Sequence, residues 1–394
     1  MFFQNARLIL PDRVLPGALR IREGKIVALG PIVPEPDEAR VDLGGRYLAP
    51  GFIDLHIHGA MRRDTMEASA EAFNTIARHH AKGGTTSLAL TTVVSTAEDL
   101  GRVLDAVEAY REREPVGARV LGVHVEGPYF SKEKPGAHWP HLIRNPAPAE
   151  YLPWLERGDL LTQMTVAPEL PCALPLIAAL AERGIIASGG HSHAWDEDAA
   201  AGFAHGMRQV THAYNCMSSQ RRRGPYRVAG LLEFAMGEPE ILCELIADGH
   251  HVSPTLMRAL YQAKGPDGIA LVTDAAAGAG LAEGESYTLG TLPAIVRNGV
   301  GVTADGTALA SSTCGMLDCV RNVAQLVDVP FAEAVRMATV NPARAFGIAE
   351  ERGVLRIGAA ADLVIFDDAF SVQQTIVGGR TVWEAGTNAA SPSR

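Results

Sequence analysis

The feature that most constrains this chain is a rhythm. Eight short apolar runs recur through its middle: Phe52–His58, Thr85–Val94, Arg119–Glu126, Leu161–Pro168, Ile185–His191, Gln209–Asn215, Ile241–Ala247 and Ile269–Thr273. Most are separated by amphipathic or alanine-rich stretches, such as Ala68–Lys82, Ala97–Arg111, Leu174–Arg183 and Pro254–Ala263. Near-continuous apolar runs are what strands buried on both faces look like, and intervening helices make the crossovers that parallel strands require. Eight such units predict an α/β fold, a (β/α)8 TIM barrel, over residues 51–345.

At 394 residues the chain is longer than one such barrel of about 250 residues. The surplus lies at its two ends, 1–50 and 346–394, which read as short strands. At the N-terminus these are Ala6–Leu10, Ala18–Arg22, Lys25–Leu29 and Arg46–Leu48. At the C-terminus they are Gly353–Leu355, Asp362–Phe366, Gln374–Val377 and Arg380–Glu384. Neither set can bury a core alone, so the two are expected to combine into one small β-sandwich domain. The tail after Gly386 is expected to fray.

Charge and cysteine content remove several functional classes. A net charge of −10, from 45 acidic and 35 basic residues, argues against general binding to nucleic acid or an anionic membrane surface. Nowhere is there a run of about 18 apolar residues long enough to span a bilayer. The start, Met1-Phe2-Phe3-Gln4, lacks the basic segment of a secretory signal. Cys172, Cys216, Cys243, Cys314 and Cys319 include no C-x-x-C pair, which fits reduced thiols in the cytoplasm.

In a barrel of this kind chemistry belongs at the C-terminal ends of the strands, and reactive side chains concentrate there. The first run ends in His56-Ile57-His58, whose histidines share a face and can share a metal ion. The third ends in His124-Val125-Glu126, the fifth in His191-Ser192-His193, the sixth in Thr211-His212 and the eighth in Thr273-Asp274. A single strand-end histidine is usually structural. Two histidines, a glutamate, two more histidines and an aspartate on five separate strands point to a divalent-metal hydrolase. Zinc suits these donors first, with Fe2+ or Mn2+ compatible, and one or two ions per subunit are expected.

The same residues carry a family resemblance. Pro50-Gly51-Phe52-Ile53-Asp54-Leu55-His56-Ile57-His58-Gly59 resembles the first-strand signature of the amidohydrolase superfamily. His124–Phe130, Gly136-Ala137-His138, Gly190-His191-Ser192, Thr211–Asn215, Ala247–Val252 and Leu271–Ala275, in that order, resemble its N-acetylglucosamine-6-phosphate deacetylase family. The resemblance implies metal-dependent hydrolysis of the N-acetyl amide of N-acetylglucosamine 6-phosphate, giving glucosamine 6-phosphate and acetate. It implies that Glu126, His191 and His212 hold the main ion, and that His56 and His58 complete a second site bridged by Glu126. Asp274 would be the general base and His138 the group that meets the acetyl carbonyl.

Substrate would be held by backbone around Asn215 and Cys216, by His251, and by an arginine after strand six that reaches across a homodimer. In Arg221-Arg222-Arg223-Gly224-Pro225-Tyr226-Arg227 the loop departs from the family pattern. Arg223 aligns best, and Arg222 and Arg227 remain open. His193 stands where many relatives have asparagine, leaving roles as ligand, supporting residue or substrate contact open. His124 is expected to pack behind the ligands, while His79, His80, His141 and His205 are expected outside the site. A small-molecule amino-sugar phosphate is thus the expected partner. The alternatives are a deacylase of a related amino sugar (N-acetylgalactosamine 6-phosphate or an unphosphorylated N-acyl sugar) and a non-catalytic sugar-phosphate-binding barrel. Cyclic-amide hydrolases of the superfamily fit less well, because Leu161–Pro168 lacks the lysine they carry on strand four.

Overall fold

The computed structural model describes residues 1–386; the tail whose fraying the sequence suggests lies outside the described residues. Eight strands form one parallel sheet in chain order: β1 (Phe52–Ile57), β2 (Thr85–Thr91), β3 (Arg119–Glu126), β4 (Leu161–Val166), β5 (Ile186–Gly189), β6 (Gln209–Val210), β7 (Leu242–Ile246) and β8 (Ile269–Val272). A bridge between Ile57 and Ala275 closes the sheet into the expected barrel. Closure falls at the catalytic ends: Asp274 N donates to His56 O at 2.9 Å and His58 N to Ala275 O at 2.8 Å. The seam therefore sets Asp274 beside the two first-strand histidines.

A helix follows every strand: α1 (Ala70–Lys82), α2 (Ala97–Arg111), α3 (Pro148–Leu155), α4 (Ala173–Glu182), α5 (Asp196–Ala204), α6 (Leu231–Gly237), α7 (Pro254–Lys264) and α8 (Met316–Leu326). Helix α1 illustrates the local logic. Ser69 caps it by accepting from Ala72 N, a bond whose loss typically costs about 1 kcal/mol. Phe73, Ile76, Ala77, His80 and Ala81 then recur at helical spacing and are buried.

The terminal segments join in one continuously hydrogen-bonded eight-stranded sheet. The join is an antiparallel pairing of Tyr47–Pro50 with Leu363–Phe366. Phe3, Leu8, Leu19, Ile26, Leu363 and Ile376, drawn from both ends, share one apolar cluster. Gly353–Leu355, expected as a strand, forms no ladder; Leu355 instead packs into that cluster.

Two departures matter for the site. The sixth apolar run keeps strand geometry only over Gln209–Val210, because His212, Tyr214 and Cys216 take left-handed backbone at φ of +32°, +76° and +48°. A three-stranded antiparallel sheet (Ser286–Leu289, Leu292–Arg297, Val300–Thr303), not expected from the sequence, is inserted between β8 and α8. Its last turn, Asn298-Gly299, has both residues at positive φ, as a tight hairpin turn requires.

Candidate active site

Six side chains converge at the mouth of the barrel, and Glu126 at the end of β3 stands between them. Its Oε1 lies 3.2 Å from His191 Nε2 and 3.0 Å from His212 Nε2, and those two ring nitrogens are 3.1 Å apart. Its Oε2 lies 3.5 Å from His56 Nε2 and 3.2 Å from His58 Nε2. His56 Nε2 and His58 Nε2 are 3.2 Å apart, with Asp274 Oδ1 at 3.4 and 3.2 Å from them. One oxygen of Glu126 thus serves each set.

This geometry fits metal coordination. Tetrahedral zinc with bonds of about 2.05 Å sets its ligand atoms about 3.3 Å apart, the separation found within both sets. Asp274 Oδ1 is buried and makes no hydrogen bond despite its two close ring nitrogens, and His58 Nδ1 and His212 Nδ1 are likewise without a partner among the described residues. Nitrogen and carboxylate oxygen atoms gathered this closely, with Asp274 Oδ1 among them unpartnered, suit a shared cation. Sequence reasoning set Asp274 apart as a base; the structure places its Oδ1 in the His56–His58 set as well.

Electrostatics favour a cation. Burial alone would raise Glu126, yet the His56 charge and hydrogen bonds from His191 and His212 hold it well below the usual carboxylate range. Asp274 is lowered in the same way, against its burial, by His56 and His58. Burial alone would lower His58, but Asp274 and Glu126 raise it to about 9. Both carboxylates are charged at neutral pH.

Three of the six side chains sit on unusual backbone. His191, His212 and Asp274 have φ of +46°, +32° and +47°. Such left-handed geometry costs a non-glycine residue about 1–3 kcal/mol and concentrates at functional sites. Here it ends the strand and turns the side chain over the barrel mouth. It is held by His212 N to Glu244 Oε2 (3.2 Å), Ser131 N to His191 O (2.8 Å) and Ser312 N to Asp274 O (3.0 Å).

A cavity of about 240 Å³ opens above the cluster, and His138, Asn215, Cys216 and His251 line it. His138 also borders a second cavity of about 620 Å³, beside Trp139. Val94 N donates to His138 Nδ1 at 3.3 Å, so the proton of the neutral ring resides on Nε2. Burial lowers His138 to about 3. His251 donates from Nδ1 to Asp248 Oδ2 at 2.7 Å, which orients its ring. Burial pushes the Cys216 thiol up to about 12, which removes it as a nucleophile. Gly136 also lines the cavity: a Cβ there would meet Cys216 Sγ at 2.7 Å and His191 Cε1 at 2.9 Å, at a φ of +58°.

Other expected residues lie elsewhere. Arg223 is not in the cavity lining; it pairs with Glu197 at 2.6 Å and stacks over Trp195 at 4.0 Å. Arg222 and Arg227 face each other across the hairpin Arg221–Arg223/Tyr226–Val228, exposed and without an ion-pair partner among the described residues. His193 is exposed and outside both ligand sets. His124 packs against His56 with ring centres 4.6 Å apart and bonds Thr165 Oγ1 at 2.8 Å. Missed by sequence reasoning were Asp54, whose Oδ2 accepts from Thr273 Oγ1 at 2.6 Å, and Glu244 with its glutamine neighbours. Their signal was available, as charged and amide residues inside otherwise apolar runs.

A closed parallel barrel with two histidine–carboxylate sets at its C-terminal mouth is the architecture of a metal-dependent hydrolase. The amidohydrolase family model matches residues 47–382, and the chain belongs to that family. More narrowly, it is 36% identical over 350 residues to N-acetylglucosamine-6-phosphate deacetylase of Vibrio furnissii, covering 88% of this chain and 86% of the relative. It is 35% identical over 367 residues to N-acetylgalactosamine-6-phosphate deacetylase of Escherichia coli O157:H7, covering 92% and 93%. The crystal structure of N-acetylglucosamine-6-phosphate deacetylase from Pasteurella multocida superposes with a TM-score of 0.90 at 32% identity, covering 96% of this chain and 98% of that one.

Proposed function

We propose that this protein hydrolyses the N-acetyl amide of N-acetylglucosamine 6-phosphate, releasing acetate and glucosamine 6-phosphate. The observation that carries the reading is the double use of Glu126, one oxygen to each histidine set, beneath a cavity walled by His138 and His251. Glu126, His191 and His212 would hold one ion; His56, His58, Asp274 and the second oxygen of Glu126 would hold the other. Zinc fits these donors first. What a bound divalent ion supplies is Lewis acidity, which brings the pKa of a water toward about 7 and draws charge onto the acyl oxygen.

The chain's own groups do the rest. Asp274 is ionised and 11% of its side chain is exposed at the cavity, so it accepts the proton of the attacking water. His138 presents Nε2–H to the acetyl oxygen as its charge develops. When the C–N bond breaks, Asp274 returns the proton to the sugar nitrogen, giving the amine and acetic acid, which ionises to acetate and releases its proton to the amine or to solvent. Asn215 and the backbone at Cys216 hold the sugar, and His251 meets its phosphate. Arg222 and Arg227, free on the exposed hairpin with Tyr226 at its tip, supply phosphate contacts across a homodimer. Five unpaired thiols fit a cytoplasmic enzyme. Among the described residues, no helix is long and apolar enough to cross a membrane.

The E. coli relative named for the galactosamine epimer motivates a second reading, in which N-acetylgalactosamine 6-phosphate is the better substrate. Acetate release from both 6-phosphates and from free N-acetylglucosamine tests the proposal. Turnover of the glucosamine 6-phosphate derivative at the highest kcat/KM supports it. Preference for the epimer replaces the sugar and keeps the chemistry, whereas turnover of the free sugar alone removes the phosphate site.

A further inference from the structure

The proposed chemistry makes no use of the fully buried carboxylate of Glu244. Glu244 lies in the middle of β7 and is 0% exposed. Its Oε1 accepts from Gln163 Nε2 at 3.0 Å and from Gln209 Nε2 at 2.8 Å. Its Oε2 accepts from His212 N at 3.2 Å and lies 3.2 Å from His56 Nδ1. Gln209 Nε2 also reaches Gln163 Oε1 at 2.8 Å, so the two amides form a fixed floor beneath the carboxylate. Among the described residues no lysine or arginine pairs with it. A buried carboxylate is tolerated when hydrogen bonds satisfy it, yet an apolar residue would fill a barrel floor without that demand.

We propose that Glu244 is a positioning residue for the metal centre: it fixes the tautomer and ring orientation of His56 and, through the His212 amide, anchors the second ligand set to the same carboxylate. The chemistry is direct. An imidazole that donates from Nδ1 to a carboxylate keeps its lone pair on Nε2, the atom that faces His58, Glu126 and Asp274. Carboxylate partners of this kind also raise the ligand's basicity. His191 is oriented in the same manner by Lys134 O, 2.9 Å from its Nδ1. His58 and His212 lack any partner at Nδ1 among the described residues, so each set has one ligand fixed from behind and one left to adjust. Glu244 also holds the amide of His212 where φ is +32°, so one side chain braces both sets.

The inference rests on the metal-centre reading, and its test separates the two. Zinc affinity of the full-length protein is measured by chelator competition for wild type, Glu244→Gln, His56→Asn and the double variant. Glu244→Gln is expected to weaken zinc binding about 10–100-fold, and to have little further effect once His56 is asparagine. A wild type that binds no zinc overturns the metal centre and this inference with it. A wild type that binds zinc with Glu244→Gln unchanged overturns the positioning role alone, and an equal loss in both backgrounds overturns the orientation of His56 by Glu244. If Glu244→Gln does not fold, histidine-selective 15N NMR of zinc-loaded wild type decides. His56 protonated at Nδ1 and bound through Nε2 supports the proposal, and the opposite arrangement overturns it.

Discussion

Replacing His138 probes the acyl end of the site with the least disturbance of the metal sets. Val94 N–H occupies Nδ1, so Nε2 carries the only ring proton, 3.6 Å from Glu126 Oε2 and too far to be consumed in a hydrogen bond. That free donor is the one proposed to meet the oxyanion. Removing one preorganised donor of this kind costs about 2.7–4 kcal/mol in the transition state, or about 10²–10³-fold in kcat. His138→Ala should therefore lower kcat for acetate release by that factor with a small change in KM, since the contact strengthens only as charge develops. His138→Gln, which keeps an N–H donor, should recover part of the loss. Because burial lowers His138 to about 3, it stays neutral above pH 5, and its removal should leave the shape of the pH profile unchanged. Its ring also packs 5.3 Å from Phe130 and 5.0 Å from His191, so melting curves and metal content must accompany the kinetics. A kcat within threefold of wild type, or a loss carried by KM, would refute the oxyanion role.

Glu126→Gln should reduce bound zinc at both sets and lower kcat on the order of a thousandfold, read by elemental analysis and acetate release; a variant that keeps full metal content contradicts the bridging arrangement. Arg222→Ala and Arg227→Ala should each raise KM for the 6-phosphate about tenfold or more while leaving free N-acetylglucosamine unaffected, and Arg223→Ala should do less because Glu197 and Trp195 already engage it. Loss confined to Arg223→Ala would restore the sequence alignment's choice. His80, on the buried face of α1 with Nε2 bonded to Gly59 O at 3.1 Å, is lowered by burial to about 3. The unfolded chain binds a proton there below about 6.5 and the folded chain does not, so stability should fall by up to about 1.4 kcal/mol per pH unit between those values. Urea unfolding of metal-free wild type and His80→Gln from pH 7 to pH 4 should differ in slope by that one proton; equal slopes would remove His80 from the account.

Much of the fold was legible because period and position carry it. Eight apolar runs specify a parallel barrel whatever their exact sequence, and alternation along a strand places His56 and His58 on one face. What escaped detection depends on tertiary context. The sixth strand is two residues long because left-handed turns at His212 and Tyr214 end it, and those conformations are held by partners remote in sequence, Glu244 among them. The Asn298-Gly299 hairpin carried a local signal, but an insertion after the eighth strand breaks the rhythm that directed the reading. Glu244 and Gln163 lie inside their strands and Gln209 opens β6, so none stands at the C-terminal strand ends where this fold concentrates its chemistry. Likewise, three consecutive arginines are equivalent in sequence, and only the hairpin register separates the occupied Arg221 and Arg223 from Arg222 and Arg227.

The central claim is that metal held by Glu126 and its two histidine sets drives amide hydrolysis of an amino-sugar phosphate. Acetate release from N-acetylglucosamine 6-phosphate, followed while zinc is added back to metal-stripped protein, tests it most directly. The account predicts no turnover without metal and a rise that saturates by two equivalents per chain, abolished by Asp274→Asn. Full turnover by the stripped protein, or no turnover of the substrate after zinc is restored, would contradict it.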